Sequence, residues 1–435
     1  MKAEIQFFWS RLNANYWFYP SGFAAFCAVL ALVTVWLDRN GYASFVEQGG
    51  WLVDVSPQGA TDILTVIAGS MIGVAATVFS ITLVSVTYAS STYGPRLLTN
   101  FLEDKGNQVS LAAFIGTFVY ALIVLRAVRV GGPAGAADPV GFAPQISLIV
   151  AYVLVAFCVA VLVFFLNHVP SSIRINVVLE QIGKRLMAAV EKTYPIEDER
   201  HDAREGQGGE TLEAWGAGYV QMISFDSLQE VAAETESVIS LRVRTGDFVH
   251  RGLPVADIKG AAPDDLCDTI KENITLGPVR TPEQDPQFLI DELVEIGLRA
   301  LSPGINDPFT AITVLHWLGA CISEVGRRDL RKDICDGDAD DCPVIPLPDT
   351  FEHYLNRSFG SIRNAVSSSP SASVVMFDTI ANAALPLKGD ERRAALRHQG
   401  ELLMRQVELA LDGPDLERVR ECFGRFQEAF DGASG

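Results

Sequence analysis

The sequence lacks charged side chains over four long stretches. No Asp, Glu, Lys or Arg occurs between Arg11 and Asp38, Asp62 and Arg96, Lys105 and Arg126, or Asp138 and Arg174. Each stretch is mostly apolar and long enough to cross a bilayer, since a hydrocarbon core of ~30 Å requires roughly 20 helical residues. A soluble fold is therefore excluded for this part of the chain. The pattern predicts four transmembrane helices near residues 21–37, 63–89, 109–130 and 146–166.

The motifs of common enzyme classes are also missing. The sequence contains no Gly-x-Ser-x-Gly elbow, no P-loop with its lysine, no His-Glu-x-x-His pair and no Rossmann glycine fingerprint. Its six histidines are scattered, and its seven cysteines do not form the pattern of a disulfide framework. We therefore expect no enzymatic activity, no bound metal and no cofactor.

Acidic charge is concentrated in the second half. The net charge is −19, of which residues 1–170 contribute −1 and the remainder −18. A strongly acidic soluble region argues against a nucleic-acid partner. The cations of the short loops precede the first helix, separate the second from the third, and follow the fourth. The positive-inside rule thus predicts a multi-pass protein of the bacterial inner membrane with both termini in the cytoplasm.

We expect the chain to combine an α-helical membrane part with an α+β cytoplasmic part. Residues 1–170 would form the four-helix transmembrane domain, and residues 171–210 a helical extension and linker. A small β subdomain would follow at 211–262, and a helical cytoplasmic domain at 263–435. The run "TGDFVHRGLPVADI" at 245–258 is similar to a lipoyl/biotinyl-type barrel hairpin. It lacks the Met-Lys attachment site, which implies a small barrel and not a carrier domain.

The second predicted helix carries small and hydroxyl residues along one side. At 100° per residue, one third of its circumference holds Gly69, Ser70, Gly73, Thr77, Ser80, Thr87 and Ser91. The uncharged stretch 63–95 would extend ~50 Å as a helix, which is longer than a hydrocarbon core. Two interpretations stay open for this stripe. It could allow close packing of membrane helices, or it could line a water-filled pore in an oligomer.

Two cations stand at the outer end of the third predicted helix. Arg126 and Arg129 would extend toward the lipid headgroups in the simpler interpretation. In the alternative interpretation they form a cationic ring at the outer mouth of a pore and favour anions.

The segment from 281 to 308 has the signals of two helix starts. Thr281 is a predicted N-cap, with Gln284 as its capping-box partner. Asp307 and Pro308 repeat the cap and the first-turn proline after a turn that contains Asn306. Arg299 forms an i,i+4 pair with Glu295 on the helix before the turn. The pattern indicates a capped joint between two helices, and a small cation or ligand at Arg299, Asn306 and Asp307 is the alternative.

Five separated motifs resemble one known family. They are "YASSTYGPRLL" at 88–98, the "GDFV..G.P" hairpin, "RTPEQDP", "ALSPGINDP.TA" and "SFGSIR" at 358–363. In this order, over residues 10 to 420, they are similar to the bacterial membrane-protein family known as domain of unknown function 2254. The resemblance implies four N-terminal spans and a cytoplasmic region. It implies no activity and no site residues.

Three functional hypotheses follow from these patterns, and the third, a membrane-bound enzyme, requires a cleft with clustered titratable groups that the sequence does not reveal. The first is a homo-oligomeric ion channel in the lipid bilayer, with the second helix lining the pore and the acidic domain near its inner mouth. The alternative is a membrane-anchored scaffold or sensor whose cytoplasmic domain binds a partner without conduction.

Overall fold

The computed structural model describes residues 15–42, 55–94, 104–130, 141–196, 208–260, 264–332, 334 and 342–431. The chain divides into two compact units, Met1–Arg174 and Ile175–Gly435. We call them the N-terminal unit and the C-terminal unit.

Long apolar helices form the N-terminal unit. They are α1 (Phe18–Arg39), α2 (Pro57–Tyr93), α3 (Lys105–Ala127) and α4 (Gln145–Ser172). Helix α3 is central and packs against the other three. Each charge-free stretch is thus helical, as predicted. Helix α2 has 37 residues, and at 1.5 Å per residue it extends ~55 Å.

The C-terminal unit is also mainly helical. Its helices are α5 (Ile175–Thr193), α6 (Phe225–Glu234), α7 (Asp264–Glu272), α8 (Pro286–Ala300), α9 (Pro308–Val325), α10 (Phe351–Leu355), α11 (Ser361–Ser367), α12 (Pro370–Ala384), α13 (Asp390–Ala410) and α14 (Gly413–Asp431). Helices α13 and α14 are separated by a short break. Gly413 has a positive φ of 55° and precedes a proline, which together interrupt the helical path.

Five helices, and not four, are long and apolar enough to cross a membrane among the described residues. The fifth is α9, which belongs to the C-terminal unit and packs against α5, α8 and α12. Its side chains Leu315, Leu318 and Ile322 are fully buried there. Composition does not separate such a helix from a membrane span, because both are surrounded by apolar groups on most sides.

Seven short strands form two sheets in the C-terminal unit. One sheet has the order β1-β5-β3-β7 and the other β4-β2-β6. The strands are β1 (Glu210–Glu213), β2 (Gly218–Ile223), β3 (Val238–Leu241), β4 (Phe248–Val249), β5 (Pro254–Lys259), β6 (Ile274–Gly277) and β7 (Val344–Ile345). Both sheets contribute to one hydrophobic core. Strands β6 and β7 follow residue 262, so the β region extends beyond 211–262.

The prediction of a hairpin at 245–258 is wrong, because its two strands do not pair with each other. Strand β4 pairs with β2, whereas β5 pairs with β1 and β3 in the other sheet. Gly246 and Gly252 do provide left-handed turns, with φ of 93° and 85°. The second turn, however, carries the chain from one sheet to the other. The described strands therefore form a pair of packed sheets and not one closed barrel.

A disulfide is present although no framework was expected. Cys342, just before β7, is disulfide-bonded, and its partner lies outside the described residues. Free thiols are found at Cys27, Cys158, Cys267, Cys321 and Cys422.

Candidate functional site

The stripe predicted on α2 lies on the outside of the N-terminal unit. Its members are all exposed in the chain: Gly69, Ser70, Gly73, Thr77, Ser80, Thr87 and Ser91. The buried residues of α2, such as Leu64, Met71 and Val78, lie about 180° around the helix from the stripe. Helix α2 therefore packs on its own unit through its apolar face. Packing within one chain does not account for the stripe.

The hydroxyl groups of the stripe bond to their own helix. Those of Ser70, Thr77, Ser80 and Thr87 donate to backbone carbonyls three or four residues earlier, at 2.8–3.0 Å. Each hydroxyl is thus satisfied without a partner from another helix. The stripe is also interrupted, because the same sector holds two valines that are each 69% exposed, Val66 and Val84.

The two arginines predicted at an outer mouth are exposed. Arg126 lies in the last turn of α3. Arg129 follows it, and its backbone pairs with that of Phe142 in an isolated bridge. Both positions suit headgroup contact and a cationic ring equally, and the two interpretations stay predictions.

A buried carboxylate that sequence reasoning did not select joins α1 to α4. Asp38, at the end of α1, accepts hydrogen bonds from the backbone N–H groups of Ile146 (2.8 Å) and Ser147 (3.0 Å). The hydroxyl of Ser147 also donates to Asp38, at 2.7 Å. Unbonded N–H groups and the helix dipole make a helix N-terminus a favourable place for a carboxylate. Asp38 therefore caps α4 from a distant part of the chain.

The segment between α8 and α9 is a capped joint, as predicted. The carboxylate of Asp307 accepts from the N–H groups of Phe309 and Thr310, each at 3.2 Å, and Pro308 is the first residue of α9. Asn306 adopts a positive φ of 48°, a conformation that asparagine tolerates. The Arg299 guanidinium lies 3.5 Å from the Glu295 carboxylate. Capping and a surface ion pair thus account for these side chains.

The helix start predicted at Thr281 is wrong. Helix α8 begins at Pro286, with Asp285 as the N-cap that accepts from the N–H of Phe288. The Gln284 amide instead bonds the end of β2, accepting from the N–H of Ile223 (3.0 Å) and donating to its carbonyl (3.2 Å). Asp285 and Pro286 form the same combination of a capping side chain and a following proline as Thr281 and Pro282, four residues later. Gln284 gains two backbone bonds outside the helix.

A buried polar network occupies the interior of the C-terminal unit. Asp349 accepts hydrogen bonds from the hydroxyl of Tyr194 (2.5 Å), the guanidinium of Arg244 (2.8 Å) and the amide of Gln287 (3.0 Å). Tyr354 lies 2.9 Å from the Tyr194 hydroxyl oxygen. Burial raises the pKa of both tyrosines far above 10. They act here as neutral hydrogen-bonding groups.

Two arginines hold the other carboxylates of this interior. Arg357 makes two bonds of 2.7 Å to Asp291. Arg280 bridges Asp291, at 2.5 Å, and Asp285. Burial raises the pKa of Asp285, and Arg280 opposes that effect. All three carboxylates, those of residues 285, 291 and 349, are therefore bonded to arginine.

A pocket of about 370 Å³ lies in the C-terminal unit, among residues that belong to or adjoin this network. It is lined by Ala188, Ala189, Lys192, Thr193, Phe225, Pro282, Glu283, Gln284, Asp285, Pro286, Lys332 and Ile334. Lys332 is partly buried. Burial lowers the pKa of its ammonium group below 10.5, although Asp349 and Asp285 oppose the shift. No local pattern in the sequence marks this lysine.

Within the part of the chain that the structure describes, no cluster of three or more His, Cys, Asp or Glu side chains is arranged for a metal ion.

Comparisons with known proteins give matches that extend across both units. A family model described as "Predicted membrane protein (DUF2254)" matches residues 13–382. The uncharacterized proteins Rv1290c of Mycobacterium tuberculosis and Mb1321c of Mycobacterium bovis are each 31% identical to this chain over 394 residues. The alignments cover 86% of this chain and 74% of each relative. No solved structure matches the chain.

Proposed function

The chain belongs to the DUF2254 family of predicted membrane proteins, and we propose that it forms a homo-oligomeric ion-permeation pathway in the bacterial inner membrane. Helices α1 to α4 span the bilayer, with both termini in the cytoplasm. Helix α9 remains in the core of the C-terminal unit. The acidic charge of that unit raises the local concentration of cations near the inner mouth.

The direction in which α2 faces is the observation that carries this proposal. Its small and hydroxyl side is turned away from the buried face of its own unit. Four helices are too few to enclose a wide conduit, so a pore requires several copies with this side around a common axis. Gly73 leaves room for close approach of another helix, because it has no side chain and no neighbouring element of the described chain lies within 4 Å of its Cβ position.

A non-conducting scaffold is the second candidate, and specific observations favour it. The stripe hydroxyls bond to their own backbone, and Val66 and Val84 interrupt the polar surface. Such a face can contact another helix without water between them. In this candidate the same copies assemble through α2 but form a sealed bundle.

Cross-linking in native membranes tests the assembly that both candidates share. Thr77→Cys places a thiol on the stripe, and Ile72→Cys places one on an exposed flank of α2, about 140° away. We expect oxidation to join copies of the Thr77→Cys chain and not copies of the Ile72→Cys chain, with the unsubstituted chain as background. Equal cross-linking of both variants would contradict assembly through the stripe.

Ion flux from protein-loaded liposomes then separates the two candidates. A pathway predicts leak under a K⁺, Na⁺ or Cl⁻ gradient, and Ser80→Leu should reduce it by about tenfold or more by placing an apolar side chain at the axis. Ile72→Leu is the matched control and should conduct normally. If the vesicles stay sealed under every gradient and Thr77→Cys still cross-links, the permeation pathway is rejected and the scaffold is retained.

A further inference from the structure

Lys332 is a cation inside the C-terminal unit that no described carboxylate engages. Asp285, Asp291 and Asp349 are bonded to Arg280, Arg357 and Arg244, as described above. Lys332 is close enough to Asp349 and Asp285 for them to influence its pKa. Among the described residues, however, it makes no hydrogen bond or ion pair. Asp349 and Asp285 already bind arginine side chains. A third carboxylate that acts on Lys332, Asp247, is exposed and accepts from the backbone N–H of Arg244.

The ammonium group of Lys332, which has no ion-pair partner among the described residues, lines the pocket. A partly buried ammonium ion without a counter-ion is unfavourable, because desolvation is not offset by a bonded partner. The same desolvation lowers the pKa of Lys332, because it disfavours the protonated form. A bound anion would provide the missing partner. The arrangement is therefore more favourable with an anionic ligand than without one.

The other residues that line the pocket indicate the size and polarity of the remainder of the ligand. Apolar side chains form about half of the lining, with Phe225, Pro282 and Ile334 among them. The volume of about 370 Å³ is at the lower end of the range for small-molecule sites, ~300–1,000 Å³. Glu283 and Lys192 are both exposed at the rim and offset each other's charge, which leaves Lys332 as the inner cation. One inner cation and an apolar wall match a single carboxylate on a small carbon skeleton.

We propose that this pocket binds a small organic monocarboxylate, with Lys332 as the counter-ion of the carboxylate and the apolar walls around the carbon skeleton. The site is independent of the permeation pathway proposed above. It would give the C-terminal unit a metabolite-binding role whether or not the N-terminal unit conducts ions.

Calorimetric titration of the full chain in detergent micelles tests the proposal with benzoate as the probe. Benzamide has the same shape without the charge. We expect saturable binding of one benzoate per chain, at least about tenfold tighter than benzamide, because only benzoate pairs with the ammonium group. Lys332→Met should remove this preference, and Lys332→Arg should retain part of it.

Two controls separate binding from folding. Lys271→Met removes a partly exposed lysine that is bonded to Asp268 at 2.7 Å, outside the pocket, and should leave benzoate binding unchanged. In the absence of ligand, Lys332→Met should raise the melting temperature by about 2 °C, because it removes an uncompensated charge. A melting temperature that rises shows that lost binding is not a folding defect.

Several outcomes would overturn the proposal. They are equal binding of benzoate and benzamide, an unchanged preference in Lys332→Met, and a lower melting temperature in that variant. Binding of inorganic phosphate through Lys332 without binding of benzoate would indicate a site for inorganic anions and would equally reject the monocarboxylate. None of these results would alter the expected liposome flux, so the two proposals fail separately.

Discussion

The N-terminal unit and the C-terminal unit satisfy their buried carboxylates in different ways. In the first, the carboxylate of Asp38 binds backbone N–H groups at the start of α4, and no arginine or lysine among the described residues pairs with it. In the second, the carboxylates of Asp349 and Asp291 bind the guanidinium groups of Arg244 and Arg357. The partners of the carboxylate are partial charges of backbone N–H groups in the N-terminal unit and full charges of guanidinium groups in the C-terminal unit.

The contrast follows from the surroundings of each unit. A helix bundle in a bilayer has hydrocarbon around it, where a full positive charge brought in to pair Asp38 would itself be costly. Backbone N–H groups at a helix start are already present and need a partner in any case. The C-terminal unit, which we propose lies outside the bilayer, has no such restriction, and arginine can bind two carboxylates at once. Removing a carboxylate should therefore cost more in the C-terminal unit, where it leaves an unpaired charge.

The largest effect is expected for Asp349→Asn. The substitution leaves the guanidinium of Arg244 buried without its counter-ion, and breaking a buried pair in this way costs about 3–5 kcal/mol. Hydrogen–deuterium exchange of the full chain, read by mass spectrometry, should show faster exchange across the C-terminal unit and none of this change in α1 to α4. Asp268→Asn removes an exposed carboxylate paired with Lys271 and should cost less than about 1 kcal/mol. Equal effects of the two substitutions would remove the proposed distinction between buried and exposed pairs.

A smaller effect is expected for Asp38→Ala in the N-terminal unit. Loss of the cap leaves two backbone N–H groups and the Ser147 hydroxyl without their acceptor, at a cost of about 1–3 kcal/mol. Exchange should increase in the first turn of α4, and Asp38→Asn should preserve part of the protection because its amide oxygen still accepts.

Asp62→Ala is the matched control for Asp38. Asp62 is an exposed carboxylate near the start of α2 whose one hydrogen bond among the described residues is accepted from Gln58, at 3.2 Å. Its removal should change stability by a few tenths of a kcal/mol. If Asp38→Ala lowered stability as much as Asp349→Asn, backbone partners and arginine partners would be equivalent for a buried carboxylate, and the difference between the two units would disappear.

Features set by near neighbours in the sequence were predicted, and features set by distant contacts were not. The charge-free stretches, the side of α2 that carries the stripe, and the Asp307 cap each depend on residues of one continuous segment of the sequence. The Asp38 cap joins residues 108 apart, and the bond from Tyr194 to Asp349 joins residues 155 apart. Lys332 is notable because arginines distant in the sequence already bind two of the carboxylates that act on it, those of Asp349 and Asp285. The incorrect Thr281 cap has a different cause, since two cap signals lie four residues apart and packing selects the second.

The smallest effect is expected for Ser80→Ala on the stripe of α2. Within the described part of the chain, its hydroxyl bonds to the backbone carbonyl of Ala76 alone, at 2.8 Å, so its removal should change the stability of the detergent-solubilised chain by about 0.5 kcal/mol or less. Thr82→Ala is the internal comparison, because Thr82 makes the same kind of backbone bond, to Val78 at 2.9 Å, but is buried in the unit. Thermal unfolding should register a clear loss for Thr82→Ala, since a buried methyl group is removed with the hydroxyl. A loss at Ser80 that matches the loss at Thr82 would mean that the stripe contributes to the fold of one chain, and it would remove the reason to assign this face to contacts between copies.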